Sequence, residues 1–334
     1  MQDLIESIKK EALNLGLDHI SFGSVDRFEE FRLRFNDSFE SPRNLFSEAK
    51  IYISAAISFR EQWNLLPSST PGYIARYTTA NFYKILSEKL KSLARFCKSI
   101  LNFNIKNSDF YRIFVNSKVN DKLAGYASGL GYYANNSLIF IEDKGTNFIL
   151  GEIFLNLDLK IDNNNITNNF CRKCRVCIES CPTHAISENF KINKSLCLQY
   201  LSYNKDIPLR KEVVNLWGTR FFGCSFCIDN CPANKKNIKY NENYIDYPGY
   251  IGTTFDFNNL FNFSKEDYKR YFKGNQIGLS WVEPAVLARN ILIALYNSNK
   301  KDLIIKYRDS ITKYNWSDEE IFYLRNISDF LIKL

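Results

Sequence analysis

Apolar residues in the first half of the chain alternate between helical and extended spacing. Continuous apolar runs such as IYISAAISF at 51–59 indicate buried strands, and one-sided apolar spacing at 3–15 indicates an amphipathic helix. The full pattern predicts strands at 19–25, 51–59, 110–115, 137–142 and 148–155, and helices at 3–15, 81–101 and 121–130. Strands separated by helices predict an α/β (α+β) domain, with helices packed on a layered sheet.

The second half of the chain has a different pattern. Residues 160–169 are polar and turn-forming, which is typical of a linker, whereas residues 236–263 show no clear period. From 282 to 334 the spacing becomes helical and predicts one buried helix followed by two amphipathic helices. We therefore predict an N-terminal α/β domain at 1–160, a cysteine-rich module at 161–240, and irregular cover followed by a helical C-terminal region at 241–334.

Composition narrows the class of protein. The chain has 334 residues, 45% of them hydrophobic, which is enough for a substantial core. Its start is amphipathic and charged, and no apolar run approaches bilayer length, so we expect a cytoplasmic protein without a membrane span. The net charge of +8 is compatible with an RNA partner, but ordinary surface lysines would give the same value. Absence of a Gly-rich phosphate loop argues against nucleotide-driven chemistry.

Eight of the nine cysteines lie between positions 170 and 235. The first four precede Pro182 with the spacing of a bacterial ferredoxin run, in which the fourth cysteine binds a second cluster. The run before Pro232 has only three cysteines, and Cys197 can supply the missing ligand. We predict two 4Fe-4S clusters, one bound by Cys171, Cys174, Cys177 and Cys231, and the other by Cys181, Cys197, Cys224 and Cys227.

Two other interpretations of the cysteines are less favoured. A disulfide framework is typical of small secreted chains, and structural zinc sites use four cysteines without a crossed ligand. Cys97 lies outside both runs, on the apolar side of the predicted helix at 81–101, and is expected to be a buried thiol. His19 and His184 are expected to have structural or surface positions and no role as ligands.

Several short motifs around the cysteines carry a family resemblance. They are ArgTyr at 76–77, GlyLeuGly at 129–131 followed by AsnSerLeu at 136–138, LeuGlyGluIle at 150–153, and ArgAsnIleLeuIleAla from 289. Together with the crossed cysteine pattern, this ordered set resembles the epoxyqueuosine reductase family. The resemblance implies that the N-terminal domain binds cobalamin, that the clusters pass electrons to cobalt one at a time, and that the partners are tRNA and a low-potential electron donor. It also implies cofactor-binding roles for Arg76, Tyr77, Gly129, Gly131, Asn136 and Ser137.

The chain departs from the family at the position of the catalytic acid. The family has an aspartate there, in a ValAsp segment at a strand end, whereas this chain has Asn116, and an amide cannot donate a proton as a carboxylic acid does. Asn135 and Asn204 also replace family residues. Either the acid has moved, to Asp121 or to a tyrosine such as Tyr132, or the chain is a diverged paralogue with another substrate. The alternatives are a two-cluster electron-transfer protein and a cobalamin- or RNA-binding module without turnover.

Overall fold

A computed structural model describes residues 2–59, 72–101, 106–161, 171–188, 190–236, 246–261 and 263–334. The helices in these residues are α1 (Gln2–Asn14), α2 (Val25–Arg34), α3 (Pro42–Leu45), α4 (Phe82–Ile100), α5 (Asn107–Phe110), α6 (Asp121–Ala127), α7 (Val176–Glu179), α8 (Leu198–Leu201), α9 (Lys211–Trp217), α10 (Phe226–Asp229), α11 (Pro232–Lys236), α12 (Lys265–Tyr271), α13 (Pro284–Asn297), α14 (Lys301–Ser310) and α15 (Asp318–Lys333). The strands are β1 (His19–Ser24), β2 (Ile51–Ser58), β3 (Tyr73–Ile74), β4 (Tyr111–Phe114), β5 (Tyr132–Tyr133), β6 (Ile139–Phe140), β7 (Phe148–Leu155) and β8 (Arg220–Phe222). No helix in these ranges combines the length and apolar character of a membrane span.

The chain forms two compact units, each assembled from separate segments. The first unit comprises Met1–Arg60, Phe82–Arg175 and Cys231–Asn237, and the second comprises Glu61–Asn81, Val176–Asn230 and Ile238–Leu334. These units cut across the three predicted segments. The reason is that the cysteine-rich module is shared: its first residues and the segment after Cys231 pack with the N-terminal sheet, while the rest packs with the C-terminal helices.

A four-stranded sheet forms the centre of the first unit. Its strand order is β1-β2-β7-β4, and every neighbouring pair is antiparallel. Ser54 of β2 lies opposite Ser21 on one side and opposite Glu152 of β7 on the other. Glu152 in turn lies opposite Phe114, near the end of β4. The register therefore places Glu152 in the middle of the sheet, one strand away from the loop that follows β4.

Helices cover both faces of this sheet. Helices α2 and α6 pack on the face that carries Tyr52 and Phe154, where Phe28 meets both rings edge to face. Helix α4 packs on the other face, and Gly151 of β7 allows its close approach, because an added Cβ would lie 2.7 Å from Val115 and 3.1 Å from Leu86. The glycine of the LeuGlyGluIle motif is thus explained by packing.

Helix α13 is the core of the second unit. Every residue from Pro284 to Leu295 is buried, and α9, β8, α14 and α15 pack around it. Two polar residues in this helix bind backbone carbonyls: Arg289 donates to Leu201 and Asn204, and Asn290 donates to Ser202 and Phe221. These bonds tie α13 to the segment after Cys197 and to β8. Arg289 and Asn290 therefore have a structural role in the second unit.

The mixed helix and sheet architecture with a helical C-terminal region confirms the predicted fold class. The predicted strand at 137–142 was too long: only β6 is extended, since Ser137 has a left-handed backbone (φ 62°) and Ile141 pairs locally with Gly145. Helices α2 and α12 were missed. Most of the predicted linker at 160–169 lies outside the described residues.

Candidate functional site

Five cysteines of the second unit lie together. Cys177, Cys181, Cys197 and Cys224 all interact electrostatically with Cys227. Burial raises the pKa of the Cys224 and Cys227 thiols, and the neighbouring cysteines raise it further. Several buried thiolates close together require a strongly cationic partner to compensate their negative charge, and iron is such a partner.

Backbone N–H groups point at the sulfurs of these cysteines. The N–H of Ala185 donates to Cys181 Sγ at 3.3 Å. The amides of Gln199 and Tyr200 donate to Cys197, and the amide of Phe226 donates to Cys224. Amides directed at cysteine sulfur stabilise thiolate ligands and tune the potential of an iron–sulfur cluster. This donor set fits a 4Fe-4S cluster.

Arg76 and Tyr77, which the resemblance assigned to cofactor binding, support the same region of the second unit. Arg76 is buried and forms an ion pair with Asp229 of α10. The Tyr77 hydroxyl is hydrogen-bonded to Gln199 and accepts the Cys224 N–H at 3.3 Å. Both residues therefore hold the loop that carries Cys224, and their contact with cobalamin stays a prediction.

Three further cysteines belong to the first unit. Cys171 and Cys231 share one buried cluster with Tyr132, and Cys231 interacts electrostatically with Cys174. The Asn135 side chain donates to the carbonyls of Cys171 and Cys174 at 2.8 and 2.7 Å. Asn135, one of the departures from the family, thus ties the first cysteine loop to the N-terminal domain.

The segment after Cys231 is anchored to the same unit. Asn234 accepts the N–H of Thr146 at 2.7 Å and donates to its hydroxyl at 3.2 Å. The amides of Ala233 and Asn234 donate to the Cys231 sulfur. The structure therefore groups Cys231 with Cys171 and Cys174. The remaining predicted ligand of that cluster, Cys177, lies in α7 of the second unit and interacts electrostatically with Cys227, so the division of the eight cysteines between two clusters stays a prediction.

None of the nine cysteines forms a disulfide in this structure. Within the described ranges, no three His, Cys, Asp or Glu side chains are arranged to hold a single metal ion. A 4Fe-4S cluster needs a different arrangement from a single ion, because each cysteine thiolate binds a different iron atom of the cluster.

The first unit also contains a pocket of about 260 Å³ next to the end of β4. Both residues proposed for the acid position, Asn116 and Asp121, line it. Its other lining residues are Phe39, Tyr83, Ser117, Val119, Asn120, Lys122, Leu138, Ile139, Thr146, Phe148, Ile149 and Leu150. The pocket is mainly apolar with a few polar groups, the usual character of a small-molecule site.

Asn116 and Asp121 are in direct contact in this pocket. Asn116 has a left-handed backbone (φ 44°), a conformation that asparagine tolerates better than most residues. Its N–H donates to Asp121 Oδ2 at 2.9 Å. Asp121 is the first residue of α6, whose N-cap is Asn120. The geometry thus brings a carboxyl group next to Asn116, the residue for which the resemblance predicts the position of the acid. Tyr132, the other candidate, is buried against Phe140 and does not line the pocket.

Asp121 has an unusual environment for a carboxylate. Its Oδ1 is inaccessible to solvent although the residue as a whole is half-buried at the pocket wall. Burial raises the pKa of Asp121 to about 7, while hydrogen bonds from Glu152 and from the Asn116 amide oppose that rise. Burial, followed by the charge of Asp121, raises the pKa of Glu152 well above its usual range. An acid with a pKa near neutral is suited to proton donation.

The sequence analysis gave Glu152 no chemical role. It is fully buried, with 0% exposure, in the otherwise apolar or small run of β7, FILGEIFL. A single acidic residue in the middle of a buried strand is itself a signal, because a buried carboxyl group needs a partner. Its partner could not be identified without the strand order and the position of α6.

The other predicted cofactor positions lie around α6 in the first unit. Gly129 ends this helix with a left-handed backbone, and an added Cβ on Gly131 would lie 2.4 Å from the Phe140 carbonyl oxygen. Asn136 is buried, and the Ser137 carbonyl accepts a hydrogen bond from Lys122 at 3.1 Å. These contacts shape the loop beside the pocket, and a role in binding cobalamin stays a prediction for all four residues.

The residues expected to be structural have such positions. Cys97 is buried in α4, where burial raises the pKa of its thiol to about 12. His19 meets the Phe148 ring edge to face, and His184 is exposed.

Comparison with known proteins supports the cluster assignment. Residues 170–234 match the sequence model of a 4Fe-4S double cluster binding domain. An epoxyqueuosine reductase of Lactococcus garvieae (strain Lg2) is 26% identical over 332 residues, which cover 92% of this chain and 91% of that protein. The epoxyqueuosine reductase of Escherichia coli (strain K12) is 28% identical, with coverage of 92% and 79%. The match to that of Aliivibrio fischeri (strain ATCC 700601 / ES114), 28% identical, spans 72% of this chain and 62% of that protein.

Solved structures show the same fold. The epoxyqueuosine reductase of Streptococcus thermophilus superposes with a TM-score of 0.77 at 23% identity, covering 98% of this chain and 88% of that chain. An epoxyqueuosine reductase solved with an epoxyqueuosine-modified tRNA stem loop gives a TM-score of 0.77 at 20% identity, covering 100% of both chains.

The cysteine-rich region defines the class of this protein as one with a 4Fe-4S double cluster binding domain. Within that class, the chain resembles epoxyqueuosine reductase in sequence over most of its length and shares the fold of that enzyme.

Proposed function

We propose that this protein reduces epoxyqueuosine to queuosine in tRNA, using two 4Fe-4S clusters and cobalamin, with Asp121 as the proton donor. The observation that carries this proposal is the pocket at the end of β4. There a carboxyl group with a pKa of about 7 lies beside Asn116, the position at which the family has its acid. Similarity to named epoxyqueuosine reductases over 92% of the chain supports the substrate.

The chemistry requires both electrons and protons. Conversion of an epoxide to an alkene consumes two electrons and two protons, breaks both carbon–oxygen bonds of the ring and releases the oxygen as water. Asp121 would donate a proton to the departing oxygen and then recover one from solvent through the pocket. Cys171, Cys174, Cys177 and Cys231 would hold one cluster, and Cys181, Cys197, Cys224 and Cys227 the other.

Cobalamin is proposed from the resemblance alone. When bound, it supplies a low-potential metal that acts on carbon. The pocket in the first unit, at about 260 Å³, suits a small group such as the epoxide-bearing ring and is too small for a whole corrinoid. The corrin is therefore not assigned to this pocket.

An anaerobic assay tests the proposal. Reconstituted protein with added cobalamin and a chemical reductant should convert epoxyqueuosine-containing tRNA, with the product nucleoside identified after digestion. Asp121→Asn should lower the rate by about 100-fold to 10,000-fold, the usual contribution of a positioned general acid. Asp109→Asn, at an exposed carboxylate of the same unit outside the pocket, is the matched control.

Each failure has a distinct meaning. Protein that binds and reduces cobalamin without converting this tRNA acts on another substrate. Protein that carries both clusters but binds no corrinoid is an electron carrier. If Asp121→Asn retains the wild-type rate, the proton comes from a different group.

A further inference from the structure

Glu152 and Asp121 each have one carboxyl oxygen that lacks a donor. Among the described residues, no N–H or hydroxyl reaches Asp121 Oδ1 or Glu152 Oε2, and both atoms are buried. The other oxygen of each carboxyl group has a donor: the Asn116 N–H donates to Asp121 Oδ2 at 2.9 Å, and the Ser54 hydroxyl lies 3.4 Å from Glu152 Oε1. The two carboxyl groups face each other as hydrogen-bonding partners. A proton carried by one of them is the donor that both oxygens need.

The surrounding charged groups do not replace that proton. Lys122 attracts Asp121 electrostatically, but its Nζ donates to the Ser137 carbonyl at 3.1 Å. On the β2 side, Tyr52 donates its hydroxyl to the Ala124 carbonyl at 3.0 Å, and burial raises the pKa of that phenol. Arg27 of α2 acts electrostatically on Tyr52. Two adjacent carboxylates in this place would carry a large desolvation and repulsion cost, so one carboxyl must remain neutral.

We infer that Glu152 is the protonated member of the pair and that it positions Asp121 by donating a hydrogen bond to Asp121 Oδ1. The inference deepens the proposed function and rests on it for the reaction that Asp121 serves. Glu152 is the more buried of the two, with 0% exposure, whereas Asp121 borders the pocket and exchanges protons with it. Glu152 is thus a positioning residue that does not itself touch the substrate.

The consequence concerns the state of Asp121 after it has donated its proton. The carboxylate that remains is stabilised by hydrogen bonds from neutral Glu152 and from the Asn116 amide. Without the Glu152 donor, fewer groups would oppose burial, and the pKa of Asp121 would rise further. Because the raised pKa keeps Asp121 protonated below about pH 7, a reaction that needs this proton should slow as the pH rises through that value.

Infrared titration of the carboxyl bands in the holoprotein tests the inference without any turnover. Wild type should show a carboxyl group that titrates near neutral pH, and Asp121→Asn should remove that titration. Glu152→Gln keeps a neutral donor and should leave the midpoint within about half a pH unit. Glu152→Met, similar in length but without a donor, should raise the midpoint by about one to two pH units. Glu142→Gln, at an exposed carboxylate, is the control.

The sign of the shift decides the outcome. If Glu152 were ionised, both replacements would remove a neighbouring negative charge and lower the midpoint, which would overturn the inference even if Glu152→Met failed to fold. A midpoint unchanged by both replacements, or a titration that survives in Asp121→Asn, would also overturn it. If the protein shows the expected shifts but does not convert epoxyqueuosine-containing tRNA, the Glu152 assignment is upheld and the proposed function is rejected.

Discussion

Asn116 contacts Asp121 through its backbone and has no carboxyl group of its own. Its left-handed conformation directs its N–H at Asp121, and its exposed side chain lines the pocket. Either asparagine or aspartate tolerates such a backbone, so the loop can keep its shape whichever residue is present. An asparagine at this position therefore supplies no acidic proton but keeps the backbone contact that holds Asp121.

Replacing Asn116 with aspartate separates the two possible donors. If Asp121 is the donor, Asn116→Asp alone should change the single-turnover rate on epoxyqueuosine-containing tRNA by less than about tenfold. The same change in the Asp121→Asn background should restore at least about tenfold of the lost rate, because a carboxyl group returns to the pocket. Asn116→Ser, which adds no carboxyl group, is the control in both backgrounds. A gain of about 100-fold or more from Asn116→Asp alone would instead place the acid at 116.

At the scale of elements, the sequence predicted those whose apolar pattern is unambiguous. Strands β2 and β7 lie at nearly continuous apolar runs, and helix α4 lies where its buried residues repeat with a helical period. Helix α2 was missed because its sequence, VDRFEEFRLR, is mostly charged and buries only Val25, Phe28 and Phe31. The cysteine spacing predicted that Cys231 belongs with the first cysteine run, and Cys231 does lie with Cys171 and Cys174, whereas Cys177 of that run interacts with Cys227.

The acid pair could not be predicted in the same way. Asp121 was proposed from its place near the substituted acid, but its contact with Glu152 depends on the order β1-β2-β7-β4 and on the packing of α6 against β7. Sequence periodicity gives neither the strand order nor the face on which a helix packs. Likewise, the contacts of Arg76 and Tyr77 with the second cysteine run arise from parts of the chain that are remote in sequence.

The two cysteine sets give a prediction for the loops that carry them. Reconstituted wild type should contain about eight irons per chain, as two 4Fe-4S clusters require. Cys197→Ala and Cys224→Ala should each damage the same cluster, because both thiols belong to the group around Cys227. Cys231→Ala should damage the other cluster, that of Cys171 and Cys174. Iron analysis and electron paramagnetic resonance of each variant would distinguish the clusters.

The buried thiol Cys97 provides the control for these variants, since Cys97→Ala should leave both clusters intact. If Cys231→Ala and Cys224→Ala lost the same signal in their electron paramagnetic resonance spectra, the crossed assignment would be contradicted. Iron near four per chain in wild type, unchanged by Cys197→Ala, would also contradict it.

At the scale of the whole molecule, the division of the chain into units separates Cys231 from the other cysteines of its own run. The segment Cys231–Asn237 belongs to the first unit although the residues immediately before it belong to the second. Within the first unit, this segment is held by Asn234 and Thr146 and brings Cys231 to Cys171 and Cys174. This position of Cys231 is the one that the predicted ferredoxin-type ligand pattern needs.

Net charge is the other property of the whole molecule that bears on function. The value of +8 arises from 44 Lys and Arg residues against 36 Asp and Glu residues. Several basic residues of the cysteine-rich region are exposed, namely Lys173, Arg175, Lys191, Lys194, Arg210, Lys211 and Lys235. Exposed cations of this kind bind phosphates by releasing counterions, which makes binding depend on salt.

Affinity for tRNA should therefore fall steeply as the salt concentration rises. Arg210 and Lys211 are exposed at the start of α9, and replacing both with alanine should weaken binding at low salt and reduce the slope of log K against log salt by roughly one to two. Lys9→Ala with Lys10→Ala removes the same charge from α1 and is the matched control. Fluorescence anisotropy with labelled tRNA at several salt concentrations measures both slopes. Equal losses of tRNA affinity in the two double variants would mean that net charge alone attracts the RNA. A wild-type affinity independent of salt would argue against a phosphate-binding surface altogether.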